Sequence, residues 1–371
     1  MSTIYEIWLA RDDGTRLKVL DTVASFEYTL AVNTYGHFVV NLPFGFDKNL
    51  LRYDHRIYFW RKPEGGAMSL DFEGLIRIPS EWADERQKLF RAIEGYSLEY
   101  LIEGRLIAAS TASTAANKVD NADDLLKAFV RDHLGANAVA ARQISSTYFS
   151  VASDLALGPT IYRGASYEFL LDTLRGICDS SRGAGTELFF RIAPTTDSSN
   201  EVKSFEFRTY TGQPGADRTS DVANGLIFGM EYGNLRNPKL VQDATEEANV
   251  MYALGQGLED IRLVQTAEDT ARSGRSIFGR REGKVEANNE PDPNAVQDLA
   301  DAELVNRRPK DHFTGDLVST ERTLYGRDWK HGDKVTVTFA GRQFDALVQA
   351  VTVAVDGNGN EFIQTQAEAY L

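Results

Sequence analysis

A chain of 371 residues with 54 acidic against 40 basic side chains carries a formal charge of −14. Such a balance excludes the basic face that a dedicated nucleic-acid binder needs for neutralising phosphates, although DNA can slide past an acidic wall without sticking. At 42% hydrophobic and 25% charged residues the composition is that of a globular protein, and its length implies roughly two to four domains. No run approaches the roughly 18 apolar residues that cross a bilayer. The start, Met1-Ser2-Thr3-Ile4-Tyr5-Glu6, has neither the basic nor the apolar region of a secretory signal. One cysteine, Cys178, excludes an internal disulfide framework and fits folding in a reducing cytoplasm.

In chain order, strands are predicted over 5–9, 16–20, 24–32 and 37–42, with Asn33-Thr34-Tyr35-Gly36 as a hairpin signal. A meander follows over 55–60, 72–78 and 88–96. A short helix over 97–103, an extended exit at Arg105-Leu106-Ile107 and a small, polar loop over 108–120 lead out of it. The period then changes. Asn121 caps a helix over 122–134 with Leu125, Phe129, Val130 and Leu134 on one face and Gly135 at its end; Ser166 caps a second over 167–181, with Phe169, Leu170, Leu174, Ile177 and Cys178 apolar. A strand pair over 187–192 and 204–210 flanks the loop 194–200. Residues 225–231 and 249–254 resume the β pattern. They are followed by the basic loop 273–281, the breaker Pro291-Asp292-Pro293 and a helix over 294–306 with Val296, Leu299, Ala300, Leu304 and Val305 on one face. From 315 to the end the chain is β-rich. Val335, Val337 and Phe339 alternate with Thr336 and Thr338, and turns at 340–343 and 356–360 separate this segment from 344–355 and 361–370.

The two ends look like copies of one β module. Phe344-Asp345-Ala346-Leu347-Val348 takes the place of Phe72-Glu73-Gly74-Leu75-Ile76, both blocks close on a tyrosine, and Phe26-Glu27-Tyr28 resembles Met230-Glu231-Tyr232. Periodicity alone does not separate duplication from a shared amphipathic pattern. The expected fold class is α+β, mainly β. Two similar small β-barrel modules lie near the termini, at 1–107 and 225–371, the latter interrupted at about 256–314, and mixed α/β material at 108–224 lies between them.

Candidate chemistry is sparse. Gly164-Ala165-Ser166-Tyr167-Glu168 begins like a nucleophile elbow, but Glu168 stands where glycine permits the sharp turn, so Ser166 reads as an N-cap. His37, His55, His133, His312 and His331 contain no i, i+4 pair and, with one cysteine, assemble no local zinc set. Asp356, Asn358 and Asn360 match half of a calcium loop, but Glu361 and Ala367 occupy its glycine and glutamate positions, leaving a hairpin turn. Leu254-Gly255-Gln256-Gly257 lacks the third glycine of a dinucleotide loop. Arg272, Arg275, Arg280, Arg281 and Lys284, with Phe278 among them, offer a phosphate or DNA contact as one reading, but in so acidic a chain they read first as a solvated loop or a subunit contact with an acidic neighbour. Asp123-Asp124 and Glu246-Glu247 read as surface charge, and Trp60, Trp82 and Trp329 as core or interface residues. Neither catalytic, cofactor-binding nor metal-binding residues are assigned, so no enzyme is expected. A wall hydrolase using scattered carboxylates and a glycan-binding module remain the alternatives.

Several segments resemble one family. Residues 38–43, then Ile93-Glu94-Gly95-Tyr96-Ser97-Leu98-Glu99-Tyr100-Leu101 with Arg105-Leu106-Ile107, resemble the first barrel of tail hub proteins of long-tailed bacteriophages, the family similar to the T4-type baseplate hub and the N-terminal part of tail-associated lysins. Residues 169–181 with 187–192 resemble its helix-then-strand domain, and the run 325–337, opening Tyr325-Gly326-Arg327-Asp328-Trp329, resembles the start of its last barrel. The resemblance implies a structural homotrimer in the virion tail tip, assembled in the host cytoplasm. Its six β modules would match a sixfold tail ring and enclose a channel for DNA. Implied partners are a distal tail or tail-tube ring protein, the tape measure protein and tail fibre or tip proteins. Because the chain stops at Leu371, lytic or receptor-binding activity would belong to other proteins.

Overall fold

The computed structural model describes residues 3–108, 118–196, 201–287 and 290–370. Apart from a 3-10 turn at Lys48–Leu50, the regular elements at the front of the chain are strands: β1 (Ile4–Ala10), β2 (Arg16–Val19), β3 (Ser25–Ala31), β4 (His37–Pro43), β5 (Arg56–Lys62), β6 (Ser69–Ala83) and β7 (Leu89–Ser97). Next come α1 (Tyr100–Glu103), β8 (Lys118–Asn121), α2 (Ala122–His133), β9 (Phe149–Val151), β10 (Thr160–Arg163), α3 (Leu170–Gly183), β11 (Leu188–Thr196) and β12 (Val202–Thr211). Then β13 (Asp217–Arg218), β14 (Ile227–Gly229) and β15 (Leu235–Asp243) precede a small unit of β16 (Val250–Leu254), β17 (Val264–Glu268), α4 (Thr270–Ser273), β18 (Glu282–Glu286) and α5 (Pro293–Asn306). The chain ends on β19 (Lys310–Leu317), β20 (Lys334–Phe339), β21 (Arg342–Val355) and β22 (Glu361–Tyr370).

The fold is mainly β, as the alternation of apolar and polar residues implies, and the two ends share one strand order. At the front the sheet runs β3-β4-β7-β6-β5, at the back β15-β19-β22-β21-β20, with every neighbour antiparallel. The correspondence extends to single residues. Leu75 lies opposite both Arg56 and Tyr96, and Leu347 opposite both Lys334 and Glu368. One residue on, each long middle strand carries a bulge in the equivalent ladder, between Ile76 and Ile78 of β6 against β7 and between Val348 and Ala350 of β21 against β22. A bulge adds one unpaired residue and turns the strand, so its recurrence at one place marks a repeated design. The expected superposition of 344–348 on 72–76 is the one these rows give. Two other expectations fail. Tyr96 shares its row with Glu368, so the terminal tyrosines do not correspond. Met230–Tyr232 is a 3-10 turn, and Leu235, opposite Leu317, takes the position of Phe26, opposite Val40.

The closure expected of each barrel is corrected too. Among the described residues the ladder runs open from β15 to β2, because the free edge of β3 is taken by the second half of β21, from Ala350 opposite Ala31 to Val355 opposite Phe26. The halves are therefore sewn into one sheet with one core, in which Phe26, Tyr28, Phe38 and Phe59 pack with Phe228, Trp329, Val337 and Val351. Strand β5 is buried on both faces: Ile57 and Phe59 point into that core, and Tyr58 and Trp60 into a second one formed with α2, α3 and the β11-β12-β9 sheet. This is why residues 57–60 read as a continuous apolar run.

Three local expectations change. The strand expected to resume over 249–254 is β16, at the centre of a separate β17-β16-β18 sheet under α5. Residues 118–120, read as loop, belong to β8, which pairs with β10; the rest of that loop, 109–117, and the tip of the 194–200 loop lie outside the described residues. Ser166 is exposed and caps nothing. Helix α3 starts at Leu170, because residues 167–169 are tied by backbone hydrogen bonds to 105–107, with Tyr167 N donating to Ile107 O at 2.7 Å and Ile107 N to Glu168 O at 2.8 Å.

Candidate functional site: the polar junction between the modules

Where the two halves meet, a row of polar side chains is buried. Period-two alternation in β5 puts Arg61 on the same face as Ile57 and Phe59, and it is 1% exposed. Burying a guanidinium is costly unless its donors are met. Here Nη2 and Nε donate to Glu361 Oε1 at 2.9 and 3.0 Å, and Nη1 donates to the Tyr325 carbonyl at 3.0 Å. The Tyr5 hydroxyl lies 3.0 Å from Nε and donates to the same carboxylate, while the Tyr325 ring lies 4.9 Å from the guanidinium. This cluster ties β1 and β5 to the first residue of β22 and to the loop before β20. Deeper in, Tyr28 donates to Asp71 Oδ2 at 2.5 Å. Burial pushes the Asp71 carboxyl up, and the Tyr28 hydroxyl and the Arg61 charge pull it partly back.

A second polar cluster joins both modules to the middle of the chain. Glu73 from β6, Ser97 at the end of β7, Glu99 just beyond it, Arg191 from β11 and His331 before β20 line a cavity of about 40 Å³. Arg191 Nη2 lies 3.3 Å from Glu73 Oε1, Ser97 Oγ donates to Glu99 at 2.5 Å, and Ile192 N donates to Glu99 at 3.0 Å. Burial pushes the Glu73 carboxyl up to about 7, Arg191 opposing and Glu99 adding to the shift. Burial, helped by Arg191, brings His331 down to about 3. Both clusters hold elements together, although Glu73 engages Arg191 through Oε1 alone and keeps Oε2 buried without a hydrogen-bond partner.

The residues singled out in the sequence lie elsewhere and do not converge. Asp123 and Asp124 are not surface charge: Asp123 pairs with the fully buried Lys127 at 2.7 Å and accepts from Leu157 N, and Asp124 accepts from Leu155 N and Ala156 N. Glu247 is likewise buried, beneath Arg272 and Arg275 at 3.6 and 2.5 Å. The basic loop is thus largely neutralised within its own unit, Arg280 pairing with Glu268 and Glu282, while Ile277 and Phe278 are exposed. Asp356 closes the β21–β22 turn by accepting from Asn358 N and Asn360 N, each at 2.9 Å. Trp60 and Trp329 are buried, and Trp82 is exposed and stacks on Phe90. Among the described residues no group of three or more His, Cys, Asp or Glu side chains is arranged to hold a metal ion, and no helix is long and apolar enough to cross a membrane. Sequence reading missed Arg61, Asp71, Glu73, Arg191 and Glu361. The one available signal was a charged residue in phase with Ile57 and Phe59.

Comparison with known proteins agrees with this architecture. The family described as Siphovirus ReqiPepy6 Gp37-like protein matches residues 4–366. Three solved structures share the fold, each at 12% identity. A tail protein from Neisseria meningitidis MC58 has a TM-score of 0.55, over 98% of this chain and 96% of that one. A 43 kDa tail protein of prophage MuSo2 from Shewanella oneidensis scores 0.54, over 98% of both chains, and a prophage tail protein from Listeria monocytogenes EGD-e scores 0.52, over 98% and 94%. No curated protein matches the sequence. The chain belongs to the Siphovirus ReqiPepy6 Gp37-like family.

Proposed function

We propose that the chain, like the phage tail proteins whose fold it shares, is a tail protein, and that three copies of it close a ring at the tail tip, a structural hub whose front and back modules alternate around a channel for DNA. The observation that carries this reading is the repeated strand order with its repeated bulge. Two equivalent modules per chain let a threefold assembly present six similar faces to a sixfold tail ring. The hub would join the tail-tube or distal tail ring on one side to the tape measure protein and to fibre or tip proteins on the other. A chain of formal charge −14 suits a passage through which DNA moves without being held. Its role is mechanical: of the carboxylates that could suggest wall hydrolysis, Asp123, Asp124 and Glu247 are enclosed in ion pairs and backbone contacts, and Glu246 is exposed beside Arg307. Mass photometry of the purified chain, alone and with neighbouring tail proteins, tests the reading. Particles of three chain masses that enter tails are expected; a strict monomer that never joins tail particles would sink it.

A further inference from the structure

The strand that closes the seam inside one chain has a counterpart with no partner. In the back module, the half of β21 beyond its bulge, Ala350 to Val355, is covered by β3. The same half of β6 in the front module, Ile78 to Ala83, is paired to β7 on one side only. On its outer side the pairing with β5 ends at Leu75, and Asp54 N donating to Ile76 O at 3.0 Å is the last bond. A groove of about 420 Å³ runs beside Pro79, Ser80 and Glu81, walled by Lys48, Asn49, Leu51 and Arg52. At the other end of the ladder β15, which occupies the position of β3, pairs among the described strands only with β19, so that no described strand lies along the outer edge of residues 235–241. Open edges are templates for a further strand.

We propose that β15 of one copy pairs antiparallel with residues 78–83 of β6 in a second copy of this chain, repeating between chains the β3–β21 junction found within each. The proposal rests on the ring reading above and names the contact that would close the ring. The internal junction supplies its register. Glu368 is opposite Thr314 as Tyr96 is opposite His37, which aligns Leu317 with Val40 and so Leu235 with Phe26 and Arg236 with Glu27. Beyond them β15 has a bulge at Asn237, at φ 49°, after which Lys239 takes the position of Thr29. The pairs that follow are Ala83 with Leu235, Trp82 with Arg236, Ser80 with Lys239, Pro79 with Leu240 and Ile78 with Val241.

The chemistry of these rows fits. Ile78 and Trp82, 44% and 41% exposed in the single chain, meet Val241 and the Arg236 guanidinium, an apolar and a cation–π contact. Because Val32 N donates to Gln349 O at 3.0 Å inside the chain, hydrogen-bonded pairs fall at alternate rows. Pro79 and Pro238 stand in two of the corresponding rows and each removes one ladder donor. The contact between chains is therefore weaker than the one within, and a lone edge resists random pairing. Each copy offers one edge of each kind, so the contact is head-to-tail and closes into a ring if the rotation permits.

Cysteine pairing tests it on the full chain. Ser80 and Lys239 occupy the row of Thr29 and Thr352, whose hydroxyls lie 2.8 Å apart in a closely spaced pair within disulfide reach. The native Cys178 is buried and does not compete. Ser80→Cys and Lys239→Cys are prepared separately, mixed and oxidised. The expected result is a disulfide-linked species of twice the chain mass in the mixture, absent from either variant alone, and sharply reduced when Glu81→Cys replaces Ser80→Cys. An oligomer by mass photometry in which the mixture does not cross-link, or in which Ser80→Cys links to itself, overturns this junction while leaving the ring reading standing. A chain that stays monomeric and does not cross-link overturns both.

Discussion

The buried contact of Arg61 with Glu361 permits a direct test of how the halves are held. Glu361→Gln keeps the shape of the side chain but leaves the guanidinium, 1% exposed, without its counter-charge. Removing one partner of a buried ion pair costs about 3–5 kcal/mol. The Glu361 side chain is 21% exposed, so solvent screens part of this and the lower end, about 3 kcal/mol, applies. Arg61→Met removes the charge instead and strands the carboxylate and the Tyr325 carbonyl, costing about as much. The double variant leaves no unpaired charge, so its loss is well below the sum, with a coupling of roughly 2 kcal/mol or more. Urea unfolding of the native chain, both single variants and the double variant gives the cycle. Hydrogen exchange should show the amides of Ala350–Val355 losing protection while those of β16 keep theirs. Additive single effects, each under about 1 kcal/mol, would refute the claim that this cluster fastens the seam.

Further outcomes follow from other sites. Glu73 holds its proton up to about 7 against an ordinary 4.5, so folding takes up a proton between these values and that stabilisation is lost as pH rises towards 7. His331, near 3 against 6.5, acts oppositely, its penalty fading as pH rises from 3 to 6.5, so the two offset each other over much of this window. Glu73→Gln should therefore gain stability relative to the native chain by about 2–3 kcal/mol between pH 5 and pH 8 in urea titrations; parallel profiles would contradict the assignment. Trp329→Ala, removing a fully buried ring whose Nε1 donates to Thr323 O at 2.9 Å, should cost about 3–5 kcal/mol in thermal or urea unfolding. Trp82→Ala should change single-chain stability by under about 1 kcal/mol yet weaken self-association in sedimentation. Gly95→Ala would bring a Cβ to 1.9 Å from Leu75 O, so β7 must shift, and a loss of about 3 kcal/mol or more, or insoluble expression, is expected. Cys178, its thiol pushed far up by burial, should react with a thiol reagent only when the chain unfolds.

The strands were readable because alternation is local: Phe26, Tyr28 and Leu30, or Val335 and Val337, declare their inward face within a few residues. The superposition of 344–348 on 72–76 was readable for the same reason, since equivalent rows keep equivalent side chains. The failures also have causes. Ser166 looked like a cap because the strand contact with 105–107 that displaces the helix start comes from some sixty residues away. Asp123 and Glu247 looked like surface charge, and Arg61 was passed over, because a charged residue does not state whether a partner waits inside; Lys127, Arg275 and Glu361 are brought to them by the fold.

What the sequence determined by itself is the inventory: which segments are strands and where they turn; that one strand set occurs twice was decided by the shared strand order and bulge. Which edges meet was decided only in three dimensions. Backbone donors and acceptors are the same in every strand, so nothing local distinguishes β21 as the partner of β3 across more than three hundred residues; shape, burial and the charges gathered at the seam select it.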